Sequence, residues 1–179
     1  MWSTCLEVLR AAFKWLGYQS GTNQTSQGTD ADASSLALFD DLDVEFPVEF
    51  LVEGTPLSLQ AKSAAHKQAW KDQIRQAYGP IVPLHKWASQ SPVAVTIYYF
   101  PDGPVSGDID NILKLILDAM KSRIFVDDNQ VRKLTVQRFG SDEMVKLENP
   151  SAKLAEALEI PPPVVYIRVD IDGSLDDQA

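Results

Sequence analysis

Five charged residues that could support chemistry lie within a 21-residue segment of the chain. They are Asp108, Asp110, Lys114, Asp127 and Asp128. Two carboxylates precede a stretch of helical periodicity, the lysine lies about one turn inside it, and two carboxylates follow it. Because neighbouring carboxylates repel one another, such a cluster needs a proton or a cation between its members. Mg²⁺ prefers oxygen ligands of this type, usually one or two carboxylates together with substrate phosphates. The cluster therefore indicates metal-assisted chemistry on a phosphodiester.

Each acidic pair also has an ordinary structural explanation. Asp110 or Asn111 is a suitable N-cap for a following helix, and Asp127 with Asp128 is typical of a turn. The combination is more specific, because a cap needs neither a second acid two positions earlier nor an acid pair after the helix. Lys114 follows Asp110 by four residues, so it lies on the same side of the helix. Both explanations stay open at this point.

The predicted helix over residues 111–123 has two distinct faces. Four apolar residues recur at helical spacing and would dock on a core: Ile112, Leu113, Ile116 and Met120. Lys114, Asp118 and Lys121 share the opposite side at positions i, i+4 and i+7. The apolar face would thus fix how the helix docks and leave the charged side accessible.

Other common functional sites are not supported by the sequence. An EF-hand loop starting at Asp108 lacks the required glycine and glutamate. His66, His85 and Cys5 do not have the spacing of zinc ligands. The chain has no glycine-rich nucleotide-binding loop and no nucleophile elbow around a serine.

Hydrophobic periodicity predicts strands alternating with helices after residue 43. The predicted strands cover residues 44–52, 93–100, 131–139 and 164–171, and the predicted helices cover 63–78, 111–123 and a short segment at 154–158. This order favours an α/β (α+β) fold, a small single domain in which one mixed sheet packs against helices.

Three segments differ in composition. Residues 1–43 are predicted to form an N-terminal helix over 2–17 and a polar, acidic linker, residues 44–172 form the folded domain, and residues 173–179 form an acidic tail. Charged residues interrupt the apolar N-terminus, so no signal peptide is predicted, and no apolar run is long enough to span a membrane. We therefore expect a cytoplasmic protein. The N-terminal helix is either an extension without a partner or a contact site for another protein.

The net charge of the chain is −9, which is unusual for a protein that binds DNA, because DNA-binding surfaces are basic. The predicted domain over residues 44–172 is closer to balance, with 14 basic and 17 acidic residues. Four of these acids are the aspartates of the cluster, so a bound divalent cation would offset part of the remaining charge.

The acidic cluster resembles the signature of the RusA family of Holliday junction resolvases. That signature is D-x-D-N, a lysine four residues after the second acid, an L-D-A step, and an acid pair followed by x-Q-[VI]. The matching residues are Asp108-Ile109-Asp110-Asn111, Lys114, Leu117-Asp118-Ala119 and Asp127-Asp128-Asn129-Gln130-Val131. A looser similarity extends over residues 44–172 and includes the loop that begins at Gly54.

The resemblance implies an endodeoxyribonuclease that resolves four-way DNA junctions by paired nicking, in DNA recombination and repair. It implies a homodimer and Mg²⁺ as the cofactor, with Mn²⁺ as a substitute. Asp108, Asp110 and Asp128 would be metal-binding catalytic acids, Lys114 a catalytic cation, and Asp127 a further metal-binding acid. Two alternatives remain: a nuclease for other branched DNA such as flaps and forks, or a catalytically silent module that binds DNA junctions or a protein.

Contacts with branched DNA are expected from basic residues of two regions. The predicted set is Lys67, Lys71, Arg75, Arg123, Arg132, Lys133 and Arg138. The first three recur about every four residues on one helix, and the others surround the acidic cluster. Each of them could equally be a solubilising surface charge.

Overall fold

A four-stranded mixed sheet forms the centre of the fold. Its strands are β1 (Val48–Glu53), β2 (Val93–Phe100), β3 (Val131–Arg138) and β4 (Val164–Ile171). They lie in the order β1-β4-β2-β3. The strand β4 runs antiparallel to both of its neighbours, whereas β2 and β3 are parallel.

Within the described residues, three α-helices alternate with these strands: α1 (Ala64–Tyr78), α2 (Asp110–Met120) and α3 (Ala152–Glu159). This computed structural model describes residues 42–104, 108–140 and 147–173, all within one compact unit, Ala37–Ala179. The predicted fold class, a small mixed sheet packed against helices, is confirmed.

The main hydrophobic core lies between one face of the sheet and the helices α1 and α2. Strand β2 contributes its alternate residues Val93, Val95, Ile97 and Tyr99, all of which are buried. Such alternation arises because successive side chains of a strand point to opposite faces. The hydroxyl of Tyr78, the last residue of α1, donates to the backbone oxygen of Ala119 in α2 at 2.9 Å, so a buried hydrogen bond links the two helices.

The opposite face of the sheet is covered over only part of its area. Leu154 and Ala157 of α3 pack on Phe100, Phe139 and Tyr166, together with a few partly buried neighbours. Helix α3 is capped by Ser151, whose hydroxyl accepts from the backbone N–H of Leu154 at 3.1 Å.

The edge strand β3 is largely exposed, although Val131 and Val136 pack against the main core. Every residue of Val131–Arg138 is at least partly accessible, and the Leu134 side chain is 41% exposed. The sheet order leaves its outer edge without a neighbouring strand among the described residues.

Most element boundaries agree with the sequence prediction, with three corrections. Strand β1 begins at Val48 instead of residue 44, because Leu42 and Val44 pair with the backbone of Trp87 and Pro47 has no N–H to donate. Helix α2 ends at Met120 instead of residue 123, because Lys121 leaves the helical conformation (ψ 142°) and Ser122 then adopts a left-handed backbone (φ 66°). Helix α3 is longer than the predicted segment at 154–158.

Two predicted segments lie almost entirely outside the described residues. These are the N-terminal helix and linker over residues 1–43, of which only Leu42 and Asp43 are described, and the C-terminal tail, of which only Gly173 is described. Within the described part of the chain, no helix combines the length and the apolar composition needed to cross a membrane.

Candidate active site

The acidic end of α2 is open to solvent. The helix begins at Asp110, and its N-cap residue, Ile109, makes no side-chain capping bond. Asp108 and Asp110 are both exposed, and neither Asp110 nor Asn111 occupies the capping position that the sequence allowed. Asp110 lies in the first turn, where a negative charge is favourable next to the positive end of the helix dipole. Both carboxylates are therefore available to bind a ligand.

These carboxylates border a groove that reaches the end of the edge strand. The groove has a volume of about 520 Å³ and is lined by Asp108, Ile109, Asp110, Val136, Gln137 and Arg138. It combines two acids from the start of α2 with a cationic side chain from β3. Such a groove is suited to a ligand that carries both a bound cation and a negative charge.

A tight corner follows α2 and is held by its own side chains. The carboxylate of Asp127 accepts from the backbone N–H of Asn129 at 3.2 Å, and the Gln130 side chain accepts from the N–H of Asp127 at 2.7 Å. This reciprocal capping begins a 3₁₀ turn, Asp128–Gln130. The Gln130 amide also donates to the backbone oxygens of Ser89 and Ser91, which ties the corner to the loop before β2.

The corner brings Asp128 to the side of α2. The Lys114 ammonium lies 2.5 Å from Oδ2 of Asp128 and 2.9 Å from Oδ1 of Asp118. Hydrogen bonds to Asp128 and to Asp118 raise the pKa of Lys114 well above its ordinary value, so the lysine is cationic at neutral pH. The other carboxylate oxygen of Asp128, Oδ1, is buried and has no hydrogen-bond partner in the described structure.

The two adjacent acids of the corner have different partners. Asp127 is 2.5 Å from the ammonium of Lys121. The hydrogen bond from Lys121, with a smaller contribution from the Asn129 N–H, lowers the pKa of Asp127, and the same bond raises the pKa of Lys121. Asp127 therefore serves the geometry of the corner, while Asp128 faces Lys114.

The structure does not gather all the predicted metal ligands into one cage. Among the described residues, no group of three or more His, Cys, Asp or Glu side chains is arranged to hold a metal ion. Asp108 and Asp110 border the groove, and Asp128 is held beside Lys114 in the second turn of α2.

The predicted DNA-contacting cations have different environments. Arg132, Lys133 and Arg138 are exposed on β3. The guanidinium of Arg123 instead donates to backbone oxygens of the loop after α1, including that of Pro83 at 3.0 Å. Arg75 pairs with Asp72 at 2.8 Å.

Lys67 and Lys71 complete the predicted set on α1, where both are partly accessible. Sequence reasoning missed the role of Gln130 in holding the corner. The available signal was the spacing Asp127-x-x-Gln130, which matches a capping box.

The α+β domain carries exposed carboxylates at the start of α2, with the cations Lys114 on that helix and Arg138 in the groove. These are features of a protein that acts on phosphodiesters. The family model described as endodeoxyribonuclease RusA matches residues 52–148. The match covers more than half of the chain and contains every residue of the candidate site, so the chain belongs to the RusA family of Holliday junction endonucleases. No curated protein matches the sequence.

Proposed function

We propose that the protein is a structure-specific endodeoxyribonuclease that resolves four-way DNA junctions by paired, Mg²⁺-dependent nicking, in recombination and repair. The observation that carries this proposal is the Lys114–Asp128 pair at 2.5 Å. Its lysine lies on α2, the helix that starts at the groove-lining acids Asp108 and Asp110, and all four residues are within the matched segment.

The donor set fits Mg²⁺, with Mn²⁺ as a substitute. Asp108 and Asp110 supply exposed carboxylates. The buried Oδ1 of Asp128 has no hydrogen-bond partner in the described structure, and a bound cation would be its partner. Mg²⁺ keeps several waters and is usually bound by one or two carboxylates plus substrate phosphates. An enclosing cage of protein ligands is therefore not required. When bound, the ion would polarise the scissile phosphate and lower the pKa of a bound water.

Lys114 supplies a fixed positive charge at this site. Its ammonium is held by Asp118 and Asp128 and stays protonated at neutral pH because those bonds raise its pKa. A preorganised cation lowers the energy of charge that develops on phosphoryl oxygens during hydrolysis. In this proposal Asp128 both binds the metal and orients Lys114, and Asp127 keeps the corner in place.

Binding of branched DNA in this proposal relies on cations around the groove. Arg138 lines the groove beside Asp108 and Asp110, and Arg132 and Lys133 extend the positive charge along β3. Lys67, Lys71, Arg75 and Arg123 remain predicted contacts, Arg123 with its guanidinium engaged by loop carbonyls.

Paired nicking requires two active sites, and a homodimer supplies them. Contact of the N-terminal helix with a protein partner stays a prediction.

The proposal is tested with a synthetic four-way junction, with linear duplex as the control, in the presence and absence of Mg²⁺. We expect Mg²⁺-dependent paired nicks in the junction only. Asp110→Asn should abolish nicking and retain junction binding, because it removes a metal-binding charge without changing the cationic surface. Retained nicking in this variant would remove Asp110 from the site. Cleavage of flaps or forks in preference to the junction would support a nuclease for other branched DNA. Binding without any cleavage would support a catalytically silent binding module.

A further inference from the structure

We infer that Asp118 is a positioning residue that anchors the Lys114 ammonium independently of Asp128. This inference concerns how the site of the proposed function is preorganised. It rests on the geometry of three side chains on α2 and the following corner.

The ammonium of Lys114 is shared between two carboxylates. It lies 2.9 Å from Asp118, one turn further along the same helix, and 2.5 Å from Asp128. Asp118 and Asp128 are more enclosed than the lysine, with side-chain exposures of 32% and 28% against 49% for Lys114. The lysine is thus held between one carboxylate on its own helix and one on the corner.

Helix stability does not account for the placement of Asp118. This residue lies in the last turn of α2, where a negative charge faces the negative end of the helix dipole. The pair also has the less favourable orientation, with the lysine N-terminal to the acid. A side chain that breaks a local preference in this way is expected at a functional site.

Asp128 alone would be a poor anchor for the lysine. Its Oδ2 accepts from Lys114, while its buried Oδ1 has no partner and is the atom assigned above to a metal. A lysine bound to Asp128 alone would shift whenever that carboxylate adjusts to a cation. A second bond to Asp118, on a rigid helix, keeps the ammonium in place during such an adjustment. The physical role is the one that outer-shell partners have for metal ligands.

The test compares Asp118→Asn with Asp118→Glu and with the control Glu156→Gln. The control removes a comparable ion pair, Lys153–Glu156 at 2.7 Å, from α3. In protein saturated with Mg²⁺, where the Asp128 carboxylate adjusts to the cation, nitrogen-15 NMR of lysine side chains reports whether the Lys114 ammonium is immobilised, with Lys114→Met assigning its signal. We expect the signal in the wild type and in Glu156→Gln, its loss in Asp118→Asn, and its retention in Asp118→Glu.

The second readout is nicking at saturating Mg²⁺. Asp118→Asn should lower kcat by roughly tenfold or more, as removal of outer-shell partners does, with little change in KM for the junction and no decrease in the melting temperature. In the Lys114→Met background the same substitution should have no further effect. An unchanged NMR signal, an equal kcat loss in both backgrounds, or a lowered melting temperature would overturn the inference.

The two proposals fail in different ways. If the wild type shows no Mg²⁺-dependent nicking but its Lys114 signal depends on Asp118, the proposed function fails and the positioning role stands. If the wild type nicks junctions but the Lys114 signal is the same with and without Asp118, only the positioning role fails.

Discussion

Tyr78→Phe isolates the hydrogen bond that connects α1 to the end of α2. The hydroxyl of Tyr78 donates to the backbone oxygen of Ala119 at 2.9 Å, and both residues are buried. The substitution removes the donor and keeps the ring, so the carbonyl of Ala119 is left buried without a partner. Leaving a buried acceptor unsatisfied costs about 1–3 kcal/mol. We expect this loss in the free energy of unfolding, with an unchanged denaturant slope.

The pH dependence of this effect has a definite sign. Burial raises the pKa of Tyr78 above its ordinary value, so the folded state holds the phenol proton more tightly than the unfolded state. The stabilisation is then fully present below about pH 10, the pKa of an unperturbed tyrosine, and is lost as pH rises through the folded pKa. The difference between wild type and Tyr78→Phe should therefore shrink at high pH.

Denaturant unfolding at neutral and alkaline pH measures both quantities. Tyr98→Phe is the matched control, because this residue packs against Phe139 and Tyr166 and its hydroxyl has no hydrogen bond within the described structure. Its effect should stay within about 0.5 kcal/mol, the range of ordinary surface substitutions. A change in Tyr78→Phe no larger than that of the control would refute the assigned role of the Tyr78–Ala119 bond.

Two further predictions concern the corner and the edge strand. Gln130→Ala removes the cap of Asp127 and the bonds to Ser89 and Ser91, so unfolding should require about 1–2 kcal/mol less; Gln68→Ala, which removes an exposed bond on α1, is the control, and equal effects would contradict this role. Replacing Arg132 and Lys133 together by Ala should reduce the slope of log affinity for the junction against log salt by about 0.9 per lost phosphate contact. The control Lys153→Ala on α3 should leave that slope unchanged. An unaltered slope in the double variant would show that Arg132 and Lys133 do not contact DNA phosphates.

The sequence predicted the fold well where local pattern and packing agree. The alternation in β2 is a local signal, and this strand has the predicted bounds. Helix α1 starts within one residue of the prediction, and the hydroxyl of Ser63 caps it. The predicted start of β1 at residue 44 was wrong, because the pairing of Val44 with Trp87 joins residues far apart in sequence. No pattern in a short apolar run reports such a long-range partner.

The candidate site was predictable in composition but not in its internal pairing. The spacing of Lys114 and Asp118 on one helix already indicated their contact, because residues four apart are neighbours on a helix. Asp127 and Asp128 contact different lysines because of the way the corner folds back on α2. The bonds of Gln130 to a distant loop set this fold. The bonds of Arg123 to loop carbonyls have the same tertiary origin.

The start of α2 combines two opposing electrostatic features. The positive end of a helix dipole attracts phosphate groups, whereas Asp108 and Asp110, both exposed at this end, repel them. A bare phosphate is therefore disfavoured there, and a phosphate that arrives with a divalent cation is favoured, because the cation binds both the carboxylates and the phosphate oxygens. Lys114 is cationic but already bound by two carboxylates, so it does not replace that cation. This balance is why we expect junction cleavage to depend on the metal even if the junction binds without it.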